Sequence, residues 1–210
     1  MEVSLPEGHR FPMSKYAALT SYLSHQGWVI QKAPKANRSD LERVHESNYL
    51  NKWFTGGLNP AEERLLGFPY SEAMLERSLH SVGGTLAAML QALQDGYGIN
   101  LAGGTHHAFA DRGEGFCVFN DLAICAHKAL AENLAKRVLI IDLDVHQGNG
   151  TAKIFENEPS VFTLSIHGER NYPFKKETSD LDMGLADGIE DAAYLEVLQQ
   201  TLPKIFETFK

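Results

Sequence analysis

The chain has 210 residues, 43% hydrophobic and 22% charged, which fits one soluble globular domain with one core. Its net charge of -8 argues against nucleic acid as a partner, since that binding is driven by Lys and Arg neutralising phosphates, and mildly favours cationic substrates. Two cysteines, Cys117 and Cys125, form no CxxC pair or disulfide framework, and no leader peptide or roughly 20-residue apolar run is evident, so a cytoplasmic protein without a membrane span is expected.

A short helix is expected over Ser14–Gln26, followed by a strand-like piece beginning at Val29 and Ile30. Ser39 is placed to cap a helix starting at Asp40. Asn59-Pro60-Ala61-Glu62 has Asn at the N-cap, Pro at the first helical position and an acid at the third, the signature of a helix start. Ser71 caps a longer helix reaching about Leu93, with Met74, Leu75, Leu79, Val82, Leu86, Met89, Leu90 and Leu93 at helical spacing. Gly83 and Gly84 inside it cost helix stability and imply close packing against another backbone.

Ile99–Ala102 reads as a short apolar strand leading into Gly103-Gly104-Thr105-His106-His107. Asn120 caps a helix from Asp121 to about Leu134. Val138–Ile141 is the continuous apolar run of a buried parallel strand. A helix over Thr151–Glu156, a strand over Val161–Ile166, a loop from Gly168 to Gly188 and a final amphipathic helix over Asp191–Phe209, strained at Pro203, complete the chain. Strands alternating with helices predict an α/β fold with a mostly parallel sheet flanked by helices, and such sheets bind ligands outside the carboxyl ends of their strands.

Three segments carry chemistry at predicted strand ends: His106-His107, Asp142-Leu143-Asp144-Val145-His146 and Ser165-Ile166-His167. Asp144 and His146 are two residues apart and would share one side of a strand. A carboxylate and an imidazole together supply half of a catalytic zinc site, and the His pair can supply the base for metal-assisted hydrolysis.

Four ordered motifs carry a family resemblance: Gly103-Gly104-Thr105-His106-His107-Ala108, the segment Arg112–Asp121, Asp142–Gly150 and Ser165-Ile166-His167. From about His9 onward the chain resembles the histone deacetylase and acetylpolyamine amidohydrolase superfamily, with Gln147 and Asn149 most like its class IV branch and bacterial relatives. The resemblance implies an arginase/deacetylase-like fold with the active site at the carboxyl ends of the strands. It further implies that Asp144 and His146 bind zinc, that His107 is the general base and that His106 is its neighbour, oriented by Asp142. Asn149 stands where the family usually has an acid beside the base-side His. An amide orients an imidazole without stabilising imidazolium, so a lowered pKa is expected for His107.

By the same resemblance, Phe116 and Tyr172 would be opposite walls of a narrow tunnel for an acyl-lysine stem, with Gly113 and Gly115 allowing close approach of that loop. A structural monovalent cation, potassium in relatives, would take carbonyls of Asp142, Asp144, His146 and Ile166 and the Ser165 hydroxyl. The family's third zinc ligand, an Asp, and its oxyanion-stabilising Tyr have no counterpart here. Asp180, Asp182 and Asp187 lie in an expected polar loop at the wrong spacing, and the chain reads as a single deacetylase-like domain, residues 1–210, incomplete at its C-terminus.

The expected function is zinc-dependent removal of acetyl or longer acyl groups from lysine side chains or polyamines. The expected partner is an acyl-lysine peptide or protein or an acylated polyamine, with neither nucleic acid nor membrane; oligomeric state stays open. Two alternatives remain: an inactive acyl-lysine-binding module, and a manganese amidinohydrolase of arginase type, whose sites favour Asp-x-His-x-Asp over the Asp142-x-Asp144-x-His146 found here.

Overall fold

The computed structural model describes residues 3–209. The chain divides between Lys128 and Ala129 into two compact units.

The first unit is helical. It contains α1 (Lys15–His25), α2 (Arg38–Leu41), α3 (Ser47–Thr55), α4 (Pro60–Leu66) and α5 (Glu72–Asp95), and α6 (Asp121–Ala131) begins in it. The start of α4 forms as its sequence predicts: Asn59 Oδ1 accepts from the Ala61 and Glu62 N–H groups, and Glu62 returns a carboxylate oxygen to the Asn59 N–H at 2.9 Å. Ser71 Oγ caps α5 by accepting from Met74 N–H at 3.1 Å. Apolar side chains of α3, α4 and α5, among them Leu50, Trp53, Leu66, Met74 and Leu79, close on Phe119 and Ile124 to form the core.

Gly83 does what its cost in the helix implied. A Cβ there would lie 2.2 Å from the Pro34 carbonyl oxygen, and the Ala36 N–H bonds to the Leu79 carbonyl, so the backbone of 34–36 lies flat on α5. Three expectations in this unit fail. Val29 and Ile30 form no strand; they are exposed. Asn37, not Ser39, precedes α2, and Asp40 Oδ2 accepts from the Asn37 N–H. Ile99–Ala102 is not a strand either, because side chains take its backbone groups: Asn100 Oδ1 accepts from Ala102 N–H, and the Ser81 hydroxyl donates to the Ala102 carbonyl.

The second unit is α/β. β1 (Val138–Asp142), β2 (Val161–Gly168) and β3 (Leu181–Leu185) form a parallel sheet in the order β1-β2-β3, with α7 (Asn149–Phe155) between β1 and β2 in sequence and α8 (Asp191–Thr208) at the end. The first two strands were legible as apolar runs. β3 was not: the expected loop from Gly168 to Gly188 contains it, and its half-buried Leu181, Met183 and Leu185 alternate with exposed Asp182 and Gly184. Leu164, Ile166 and Ile205 form the core here, joined by flanking residues of β1 and α8. Asn133, at φ +55°, stops α6 at Ala131, short of Leu134. No helix among the described residues is long and apolar enough to cross a membrane.

Candidate functional site

In the first unit, His106 and His107 occupy the corner of a tight turn whose ends, Thr105 and Ala108, are joined by a 3.4 Å N–H to carbonyl bond. Both rings are buried, with centroids 4.1 Å apart and planes at 45°. Two glycines lead into the turn for different reasons. A Cβ on Gly103 would stand 2.5 Å from Asp121 Oδ2 and 2.6 Å from Thr85 Oγ1, whereas Gly104 adopts φ +81°.

Gly115 and Phe116 form a second turn. Glu114 and Cys117 exchange both backbone bonds across it, and the two central residues have φ +54° and +66°, the signs of a type I′ turn. For Phe116 this left-handed conformation costs roughly 1–2 kcal/mol. Bonds from the Gly115 and Phe116 N–H groups to the carbonyls of Leu65 and Leu66 hold it in place. Its ring packs on Phe68 at 5.2 Å, Phe11 at 5.3 Å and His9 at 5.9 Å, against the apolar core. Gly113 is needed for close approach as expected: a Cβ there would meet Tyr49 Oη at 2.7 Å.

In the second unit, β1 ends at Asp142, and Asp144 and His146 lie beyond it in bends. The expectation that strand alternation brings them to one side is therefore replaced by turn chemistry. Asp142 Oδ1 accepts from Asp144 N–H at 3.0 Å, and Asp144 Oδ1 accepts from His146 N–H at 2.8 Å, so two side-chain-closed turns follow one another. They set Asp144 Oδ1 2.9 Å from His146 Nδ1. Both side chains keep solvent access, at 50% and 40%. Tyr172 sets its ring edge-on to His146, with centroids 6.0 Å apart.

Asp144 and His146 are the donors that can hold a metal. Two ligands of a tetrahedral zinc, each at about 2.0–2.2 Å from the ion, lie roughly 3.3 Å apart; the observed 2.9 Å needs only a small opening. Among the described residues no third His, Cys, Asp or Glu joins them. Next along the chain, Asn149 is buried in the first turn of α7.

Register places Asp142, Ser165 and Asp182 on one rung across the sheet. Ser165 Oγ is 3.0 Å from His167 Nδ1, and burial lowers the pKa of His167. Ile166 is buried beside them on β2. Asp182, read as a loop acid, is a strand residue; its Oδ1 accepts from Gln147 Nε2 at 2.7 Å and its Oδ2 from Ser179 N–H at 2.8 Å. Gln147, itself buried, also exchanges two bonds with the backbone of Glu177. Sequence reasoning missed this clamp because its parts are 30 and 35 residues apart; the only signal was the proximity of Gln147 to the metal-type motif.

The histone deacetylase domain family model matches residues 9–210. An uncharacterised protein of a Picosynechococcus strain is 44% identical over 98% of this chain and 70% of its own length. Histone deacetylase 2 of Arabidopsis thaliana is 31% identical over 96% of this chain and 56% of its own. The crystal structure of a histone deacetylase homologue from Aquifex aeolicus superposes with a TM-score of 0.77 at 26% identity, covering 91% of this chain and 58% of that one. The chain thus spans 56–70% of the length of these relatives.

Proposed function

Since the chain belongs to the histone deacetylase domain family, we propose that it carries the general-base pair and two zinc ligands of an amide hydrolase acting on acyl-lysine or acylated polyamine. The observation that supports this reading is the pair of successive turns that brings Asp144 Oδ1 within 2.9 Å of His146 Nδ1 beyond β1. Asp144 and His146 would hold the ion. Zinc bound there supplies a Lewis acid that polarises the amide carbonyl and acidifies water.

The remaining work falls to this chain. His107 takes the proton from the attacking water and returns it to the leaving amine. In this proposal Asp142 would orient His106, the neighbour of the base, and Asn149 would orient the base-side imidazole without adding charge. Phe116, on its strained turn beside Gly115, and Tyr172, edge-on to His146, are each proposed as an apolar surface for the alkyl stem. The carbonyls of Asp142, Asp144, His146 and Ile166, with the Ser165 hydroxyl, are proposed to hold potassium. Likeness to the class IV branch and a cytoplasmic location belong to the same proposal.

The test is deacylation of an acetyl-lysine peptide and of an acetylated polyamine by the zinc-loaded protein, with His107→Ala as control. Turnover lost in His107→Ala supports the reading. Peptide binding without turnover, indifferent to chelator, replaces it with an acyl-lysine-binding module.

A further inference from the structure

We infer that Asn120 and Asp121, adjacent at the start of α6, are positioning residues for the His106–His107 pair, each gripping one end of the turn that carries it. Asp121 is fully buried and holds the entry. Its Oδ1 accepts from the Thr105 N–H at 2.8 Å and lies 2.7 Å from the Thr105 hydroxyl; its Oδ2 accepts from the Gly104 N–H at 2.9 Å and the Thr85 hydroxyl at 2.5 Å. The Asp121 N–H points back to Thr105 Oγ1 at 3.3 Å. Asn120, also fully buried, holds the exit: its Nδ2 donates to the Ala108 carbonyl at 3.0 Å. Its Oδ1 caps α6 by accepting from Ala123 N–H, and its own N–H donates to His45 Nε2 at 3.0 Å.

The turn runs from Thr105 to Ala108, so its first and last residues are fixed and its two corner residues are the histidines. The grip is anchored on both sides. Thr85 on α5 binds Asp121, Asn100 Nδ2 donates to Thr85 Oγ1 at 2.7 Å, and Gly103 leaves the space that the carboxylate fills. A buried carboxylate tolerates burial only when its oxygens are met by donors, and here both are. The consequence is positional accuracy: a proton-transfer group displaced by about 1 Å loses on the order of 100-fold in rate.

Asp121→Asn keeps the shape but sets an NH2 group where one oxygen accepted from two donors. It is expected to shift the ring resonances of His106 and His107 in nitrogen-detected spectra, and to lower kcat on the order of 100-fold with little change in KM. Thr85→Val, which removes one donor and leaves the backbone bonds in place, is expected to shift the same resonances by less. Thr105→Ser, which keeps the hydroxyl, is expected to behave as wild type. Val82→Ala, a buried apolar truncation on α5, is the control for lost stability and leaves the resonances in place.

The effect on turnover rests on the proposed role of His107; the resonance shifts are read without substrate and do not. A wild-type chain that lacks turnover but shows the shifts in Asp121→Asn supports the grip independently of the proposed function. Unmoved His106 and His107 resonances in both Asp121→Asn and Thr85→Val, whatever the loss of thermal stability, overturn the inference.

Discussion

His45 makes the first unit sensitive to acid, by an amount that follows from its surroundings. The ring is 3% exposed. Its Nε2 accepts from the Asn120 N–H at 3.0 Å, so the neutral ring carries its hydrogen on Nδ1. Burial pushes its pKa from 6.5 down to about 4, and the backbone of Phe109 and Ala110 opposes this only in part. The unfolded chain therefore binds this proton more readily than the folded one. The stabilisation is fully present above about pH 6.5 and is lost as the pH falls towards 4. It amounts to about 2 kcal/mol lost at pH 5 and about 3 kcal/mol in full. Urea unfolding followed by tryptophan fluorescence reads this unit, because Trp53 is fully buried in its core. His45→Gln keeps an acceptor for Asn120 and removes the titration. The variant is expected to be less stable at pH 7.5 and to lose about 2 kcal/mol less than wild type on going to pH 5. Parallel stability profiles for the two proteins across that range would refute the reasoning.

Gly83→Ala is expected to lower the melting temperature although alanine favours helix by about 1 kcal/mol, because the new Cβ meets the backbone of Pro34 and Ala36, at an overpacking cost of roughly 1–3 kcal/mol or more. Phe116→Ala is expected to cost about 2–3 kcal/mol in denaturant unfolding, less than the roughly 3–5 of a fully buried Phe since the ring is partly exposed; a loss of acyl-lysine binding with no loss of stability would show that the ring serves the tunnel alone. Gln147→Glu sets a second carboxylate against Asp182 and is expected to destabilise the second unit by roughly 2–3 kcal/mol at pH 7. The pair raises a carboxyl pKa, so stability returns as the pH falls; hydrogen exchange at the Glu177 and Ser179 N–H groups checks both effects.

Local signals were the legible ones. The capping residues Asn59, Ser71 and Asn120 and the apolar runs of β1 and β2 depend on neighbours within four residues or on a continuous pattern, and they form as read. Motif order was enough to assign the family, which the family model over residues 9–210 bears out. What escaped depends on distant parts of the chain. β3 exists because its backbone pairs with β2, although Asp182 and Gly184 make it look like a loop. Ile99–Ala102 looks like a strand, but Asn100 and Ser81 take its hydrogen bonds. Asp144 and His146 meet through side-chain-closed turns, which the spacing permitted but did not single out from strand alternation. The partners of Asp121 lie 16 to 36 residues away, so an acid at the first position of a helix gave no hint of them.

The central claim, that Asp144 and His146 are metal ligands beyond the end of β1, is tested most directly by zinc content after loading and dialysis, compared among wild type, Asp144→Ala and His146→Ala. The account predicts that zinc retained by wild type, up to about one ion per chain, is lost in both variants while their folds are unchanged by circular dichroism. Equal zinc retention in all three proteins would contradict it.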